Sequence, residues 1–164
     1  MNKIDRNYLE IHSLDDLVES NSPSKEFNID LVNPPNFQLN RFFYKNIGKN
    51  HRWIDRLDWS EKQWIDYSSS KKVKTYVLKK INDLVGYFEL NIHQDETEIA
   101  YLGLLEEYHN KKLGSYLLSI AIKKSFLNKP KRVWVHTCSL DHKNALNNYI
   151  SRGMKVFKKE TVTI

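Results

Sequence analysis

Between Thr97 and Thr137 the sequence changes its hydrophobic period twice, and this double switch leaves few folds open to the chain. Thr97–Leu105 is β-rich and reads as a strand. From Leu113 the apolar residues Leu117, Ile120 and Ala121 recur at helical spacing, with Lys124 breaking the stripe. Pro130 ends that helical region, and Arg132–Thr137 reads as a strand again. A strand, a helix and a second strand in this order imply a crossover, which pairs the two strands in parallel. Upstream, Lys74–Lys80 and Leu84–Asn91 flank the turn signal Asn82-Asp83, so a hairpin and antiparallel pairing are expected there. His93–Glu96 is polar and gives the next turn. Downstream, Asp141 is expected to cap a second helix running to Arg152, which Gly153 stops at the C′ position, and Met154–Ile164 is β-rich. The fold class that follows is α/β (α+β): a mixed central β-sheet with helices packed on both faces.

A chain of 164 residues fits one domain, 1–164, with room for a hydrophobic core. No apolar run reaches the ~18–20 residues needed to span a bilayer. The N-terminus, Met-Asn-Lys-Ile-Asp, lacks the apolar stretch of a secretory signal, and the single Cys138 allows neither an internal disulfide nor a cysteine metal cluster. Cytoplasmic localisation, no membrane partner and no metal are therefore expected. The formal net charge of +6 points to an anionic ligand. Lysines occur as scattered pairs rather than one block, and no nucleic-acid-binding motif accompanies them, so nucleic acid is not expected as a partner.

Residues 1–35 are mixed in character, with Asn21-Ser22-Pro23-Ser24 and Pro34-Pro35 as breaks and a strand expected near Glu26–Val32. From Asn40 to Tyr67 aromatic residues recur among charges, and Ser60 is expected to cap a helix starting Glu61-Lys62-Gln63-Trp64.

The segment Glu98–Ser115 carries the clearest chemistry. A strand feeds a short basic turn containing Gly114, and an amphipathic helix starts at once. The first amides of a helix lack internal partners and sit at the positive end of its dipole, where phosphate groups bind readily. His109, Asn110, Lys111 and Lys112 add donors and charge to that turn, and Leu113, Gly114 and Ser115 open the helix. The segment resembles the cofactor-binding motif of the GNAT N-acetyltransferase superfamily, an Arg/Gln-x-x-Gly-x-Gly/Ala turn that cradles the pyrophosphate of coenzyme A. His109 stands at the Arg/Gln position, Lys112 at the first glycine and Gly114 at the second. A second stretch, Asp141–Met154, resembles the superfamily's Asn-x-x-Ala-x-x-x-Tyr-x-x-x-Gly-Phe signature: Ala145, Tyr149 and Gly153 match, Met154 replaces Phe, and His142 replaces Asn. Trp53, Arg56, Trp59, Trp64 and the Val135-His-Thr-Cys138 segment resemble a bacterial branch of that superfamily, a likeness that bears on fold and points to no substrate.

The resemblance implies acetyl-CoA as cosubstrate and acetyl transfer to a primary amine by direct attack, the amine belonging to a small molecule or a peptide. It divides the chain into an N-terminal extension (1–35), a substrate-side segment (40–70) and a cofactor-binding core (74–157), in a monomer or homodimer. The backbone amides of Leu102 and Leu104 are expected to bind the acetyl carbonyl and the pantetheine arm, and the turn His109–Ser115 with His142 to hold the rest of the cofactor. Tyr149 is expected to protonate the departing thiolate. Glu98, in a Glu-Ile-x-x-x-x-Leu context, stands where the superfamily often carries a general-base glutamate; Glu89, on the preceding strand, is the rival for base or substrate binding. A carboxylate works as a base near neutral pH once burial raises its pKa. His93, His109 and His136 titrate in the same range. Phe43, Tyr44, His51, Arg52, Trp53, Arg56, Trp59 and Trp64 either pack or line an acceptor pocket; aromatic faces there favour a cationic amine, whereas Arg52 or Arg56 favours a carboxylate-bearing one. Cys138 is two residues from His136 on an extended chain, so both share a face, but direct transfer needs no acyl-cysteine. Because His109 and Lys112 depart from the motif, the alternative is an acyl-CoA-binding sensor or regulatory module without efficient catalysis.

Overall fold

The computed structural model describes residues 3–163, and its strands form one seven-stranded sheet. In chain order they are β1 (Lys3–Ile11), β2 (Phe27–Leu31), β3 (Val73–Lys80), β4 (Asp83–Ile92), β5 (Glu96–Leu104), β6 (Arg132–Cys138) and β7 (Lys155–Thr163). Across the sheet the order is β2-β3-β4-β5-β6-β1-β7. Only β5 and β6 run parallel, as the crossover requires; every other pairing is antiparallel. The segment 1–35 supplies two strands, β2 at one edge and β1 between β6 and β7. The helices are α1 (Phe37–Gly48), α2 (Glu61–Ser68), α3 (Leu113–Ser125) and α4 (Ala145–Ser151). No helix among the described residues is long and apolar enough to cross a membrane.

Side-chain direction assigns the helices to opposite faces. On one face Leu113, Leu117, Leu118, Ala121 and Ile122 of α3 and Tyr149 of α4 join Tyr76, Phe88, Leu90, Ile99, Val133 and Val135 in the larger core. On the other, Phe43 and Ile47 of α1 close over Val77 and Tyr87. The α1 helix starts after Pro34-Pro35, with the Asn36 side chain accepting the Gln38 N–H at 3.1 Å; its aromatic run gave no sequence signal for a helix. Ser60 caps α2 as expected, in a reciprocal capping box with Gln63.

Two details differ from the sequence reading or sharpen it. Asp141 does not cap the second helix of the core. Its carboxylate accepts the Thr137 hydroxyl at 2.5 Å and the Cys138 N–H at 3.0 Å, bracing the turn after β6, and α4 begins only at Ala145 behind Asn144. A carboxylate with two donors in its own turn satisfies a bend instead of a helix end. Gly153 does end α4 at C′, with φ +106°, and a Cβ there would collide with the Asp16 carbonyl oxygen. The Val18 N–H meanwhile bonds the Arg152 carbonyl at 2.9 Å, so the N-terminal segment is seated on this helix end. Gly153→Ala is therefore expected to destabilise the fold by at least ~2 kcal/mol, from left-handed strain plus the displaced Asp16 segment. Urea denaturation measures it, and a loss below about 0.5 kcal/mol would contradict the close contact.

Candidate active site

The β5–β6 ladder is short: Glu96, Thr97 and Glu98 pair with Arg132, Val133 and Trp134, and beyond them the two strands part. The β5 strand continues to Leu104 along β4 alone. In that ladder Glu89 opposes Tyr101 while Leu90 opposes Ile99, so Ala100 is an extra residue, a β-bulge. The bulge resets the alternation. Ile99, Leu102 and Leu104 pack toward the α3 face, and Tyr101 turns to the α1 face, where it meets Tyr44 and Trp53.

The parting strands enclose a cavity of about 730 Å³, lined from both sides by β5 residues 98–104 and by Val135, His136 and Cys138 of β6. Leu105 N–H donates to Val85 on the β4 side, and the Leu104 carbonyl accepts from His109 Nε2 at 3.1 Å on the opposite side. A strand residue's N–H and C=O share one edge and alternate along the chain. The amides of Leu104 and Leu102 therefore face the gap.

At one end of the cavity lies the turn before α3. His109, Asn110, Lys112, Leu113, Gly114 and Ser115 all line it, whereas Lys111 is exposed outside it. Lys112 is left-handed (φ 62°) and leaves α3 without a side-chain cap. The backbone shape that suits glycine is thus kept by a lysine, at a cost of about 1–2 kcal/mol. A Cβ at Gly114 would meet only Asn148 Nδ2, at 3.8 Å, so the backbone of the turn is open to close approach. Unpaired helical amides, an accessible Gly114 backbone and a cationic side chain fit the phosphates of coenzyme A. His142 lines the cavity from the β6–α4 connection.

Tyr149 and Glu98 line the same cavity. Tyr149 is 7% exposed, and burial, with Asp141 adding to it, holds its phenol well above the ordinary tyrosine range. Glu98 occupies the last paired position before the strands part. Burial raises its carboxyl above the usual range, an effect that its cross-strand neighbour Asn91, then His93 and Arg56, partly offset. That neighbour is an amide, not the lysine an exposed strand would carry. Cys138 also lines the cavity, and burial followed by Asp141 raises its thiol, which disfavours the thiolate.

Glu89 is elsewhere. It is fully buried beneath the α1–α2 face and is absent from the cavity wall. Arg56 Nη1 donates to its two oxygens at 3.0 and 3.3 Å, Asn40 Nδ2 donates at 2.8 Å and the Tyr67 hydroxyl at 2.6 Å. The Arg56 guanidinium lies over the rings of Tyr67, Tyr101 and Trp59, at 4.1, 4.4 and 4.8 Å. Burial, the largest single influence, would lower the Arg56 pKa, but Glu89 together with Tyr67, Tyr101 and Tyr87 outweighs it and the net shift is upward. Arg56, which the sequence offered as a carboxylate receptor, is thus neutralised within the protein. Of the other aromatic-segment residues, Phe43, Tyr44 and Trp64 are buried packing residues, while His51, Arg52 and Trp53 reach the cavity. His93 is exposed and lies off the wall; Arg6 and Asp55 line it from β1 and the α1–α2 connection, and only the fold brings these to the site. Among the described residues no group of three His, Cys, Asp or Glu side chains could hold a metal ion.

The sequence matches the acetyltransferase (GNAT) family over residues 34–154. None of the curated proteins matches it. Among solved structures, the chain is similar to a GCN5-related N-acetyltransferase from Kribbella flavida (TM-score 0.69, 14% identity), covering 96% of this chain and 56% of that one. It is also similar to an aminoglycoside acetyltransferase from an uncultured soil metagenomic sample, solved with trehalose (TM-score 0.67, 12% identity, 80% of this chain and 90% of that one). A third is the ribosomal-protein-S18-alanine N-acetyltransferase from Escherichia coli (TM-score 0.61, 15% identity, 77% and 76%). The chain spans little more than half the length of the Kribbella flavida protein. At these identities the structural likeness speaks for the fold, while the match over residues 34–154 speaks for the family. The chain belongs to the GNAT family of acetyltransferases.

Proposed function

We propose that the chain moves an acetyl group from acetyl-CoA to a primary amine by direct attack. The observation that supports this reading is that Glu98 and Tyr149 line one cavity at the point where β5 and β6 part, with the turn before α3 at its other end. Acetyl-CoA, when bound, supplies an activated thioester. The amides of residues 112–115, with His109, Asn110 and His142, hold its phosphorylated portion, and Lys111 contributes only long-range charge. The gap-facing amides of Leu102 and Leu104 take the pantetheine arm and the acetyl carbonyl, where a fixed N–H donor stabilises negative charge developing on oxygen.

An ammonium has no lone pair, so the acceptor must lose a proton before it attacks. Glu98 takes that proton directly or through water, its raised pKa making it a better base than an exposed carboxylate. The leaving thiolate needs a proton, and Tyr149, held protonated by burial, is the donor on the cavity wall. Glu89 is assigned a supporting part: with its oxygens engaged by three side chains and its site closed to solvent, it fixes Arg56, which lines the cavity, and Tyr67 behind it. The acceptors for which two of the structural neighbours are named, an aminoglycoside and a protein alanine, are both amines, which agrees with the reaction class and leaves this chain's acceptor open.

Release of free thiol from acetyl-CoA in the presence of an amine panel tests the reading. Tight CoA binding without turnover on any amine would favour the sensor alternative. Tyr149→Phe is expected to lower kcat by ~100-fold or more with CoA affinity retained, and normal turnover in that variant would remove the acid assignment. The two glutamates separate by different measurements. The base is active when deprotonated, so kcat/KM should fall as pH drops through the raised Glu98 pKa, and Glu98→Gln should lose both that acid limb and most of the activity. Glu89→Gln leaves the buried Arg56 without its counterion and should destabilise the protein by about 3–5 kcal/mol. A stable Glu89→Gln protein without activity would reverse the two roles.

A further inference from the structure

Three histidines meet at the cavity from three different connections: His51 after α1, His109 before α3 and His142 before α4. The rings of His109 and His142 are edge-on with centroids 5.1 Å apart, and His51 lies 6.5 Å from His142. Their hydrogen bonds fix where the protons sit. Asn144 N–H can only donate, and it lies 3.1 Å from His142 Nδ1, so that nitrogen is the acceptor and Nε2 carries the proton of a neutral ring. A carbonyl can only accept. His109 Nε2 lies 3.1 Å from the Leu104 carbonyl oxygen and His51 Nδ1 3.1 Å from that of Leu140, so both nitrogens are donors. Nδ1 of His109 and Nε2 of His51 remain as basic nitrogens.

The three rings are therefore not equivalent. A proton added to His109 or His51 leaves its carbonyl bond intact, and the carbonyl stabilises the cation. A proton added to His142 Nδ1 breaks the Asn144 bond. Burial, followed by His109, His51 and Lys143, lowers the His142 pKa further. Lys112, Arg52 and Asp55 line the same cavity, and Lys111 belongs to the same turn as His109; Glu106 and Glu107 precede His109, while Asp141, next to His142, is engaged by Thr137 and Cys138. Among the described residues none of the three histidines has a carboxylate ion-pair partner.

We propose that His51, His109 and His142 form a proton-linked phosphate cradle, in which a phosphorylated ligand entering the cavity charges His109 and His51 while neutral His142 donates from Nε2. The inference rests on the CoA-binding reading above and adds His51 to the ligand site. Its sign is fixed: an anion favours imidazolium, so the complex holds more protons than the free protein and binding tightens as pH falls. A phosphate monoester driven to its dianion would release protons, the opposite sign.

Calorimetric titration of the full chain with CoA, near pH 7 in two buffers of different ionisation enthalpy, reads the proton count. Net uptake is expected, with Kd falling by up to about tenfold per pH unit for each proton taken up between about pH 8 and 6. S-acetylpantetheine, which lacks phosphates, should bind without uptake. His51→Gln and His109→Gln should each reduce the uptake. CoA binding with a buffer-independent enthalpy, or with net release, would overturn the cradle and leave the proposed reaction standing. Equal uptake with S-acetylpantetheine, or uptake unchanged in both variants, would overturn it as well. Absence of CoA binding would remove both readings.

Discussion

Because β5 and β6 pair in parallel only from Glu96 to Glu98, the backbone of β5 beyond that point has one satisfied edge and one open one. Buried amides without partners are costly, so an open edge inside a protein has to face water or a ligand. The rest of the site depends on this divergence. It opens the cavity, it turns the Leu102 and Leu104 amides into it, and it places Glu98 at its apex and His136 and Cys138 on the opposite wall. The Ala100 bulge makes the open edge usable. Strict alternation would put Ile99 and Tyr101 on one face, whereas the extra residue lets Ile99 stay in the α3 core while Tyr101 faces Trp53.

The second constraint is electrostatic. A buried carboxylate such as Glu89 is tolerable only when paired and fully hydrogen-bonded, and here the partners come from α1, the α1–α2 connection and α2. One charge therefore holds the α1–α2 region to the sheet. Packing alone would allow those aromatics several arrangements. The guanidinium stacked among Tyr67, Tyr101 and Trp59 fixes one. This separates two glutamates that look alike in sequence: Glu89 spends its charge inside the protein, and Glu98 keeps a carboxyl at the cavity.

What was legible in the sequence follows from which forces act locally. The β4–β5 turn, the crossover and the α3 stripe depend on short-range periodicity and turn chemistry, and the structure has them where the residues point. The Gly153 helix stop is local too, although its tight fit against Asp16 is not. The β1 strand was illegible because its place between β6 and β7 is set by pairing with residues more than a hundred positions away. The α1 helix was hidden by its composition, since Phe37–Gly48 mixes aromatics and polar residues without a clean stripe and relies on Asn36 and the sheet beneath it. Asp141 misled for a definite reason: the residue that caps helices also braces tight turns, and two donors within four residues decided the matter. Arg6, Asp55 and Asn91 carry no motif at all. Only the fold brings them to the cavity.

The departures at His109, Lys112 and His142 show what a phosphate-binding motif specifies physically. Glycine at the first motif position matters for a left-handed backbone and for open space, and Lys112 adopts the same φ while adding a charge. The shape survives the substitution, at a conformational cost of about 1–2 kcal/mol. An arginine or glutamine at the position of His109 would present donors at every pH. A histidine offers one donor when neutral and two when protonated, and here the Leu104 carbonyl already takes one of them, with the His142 ring 5.1 Å away. The departures from the motif thus keep its backbone geometry and change the side-chain donors around it.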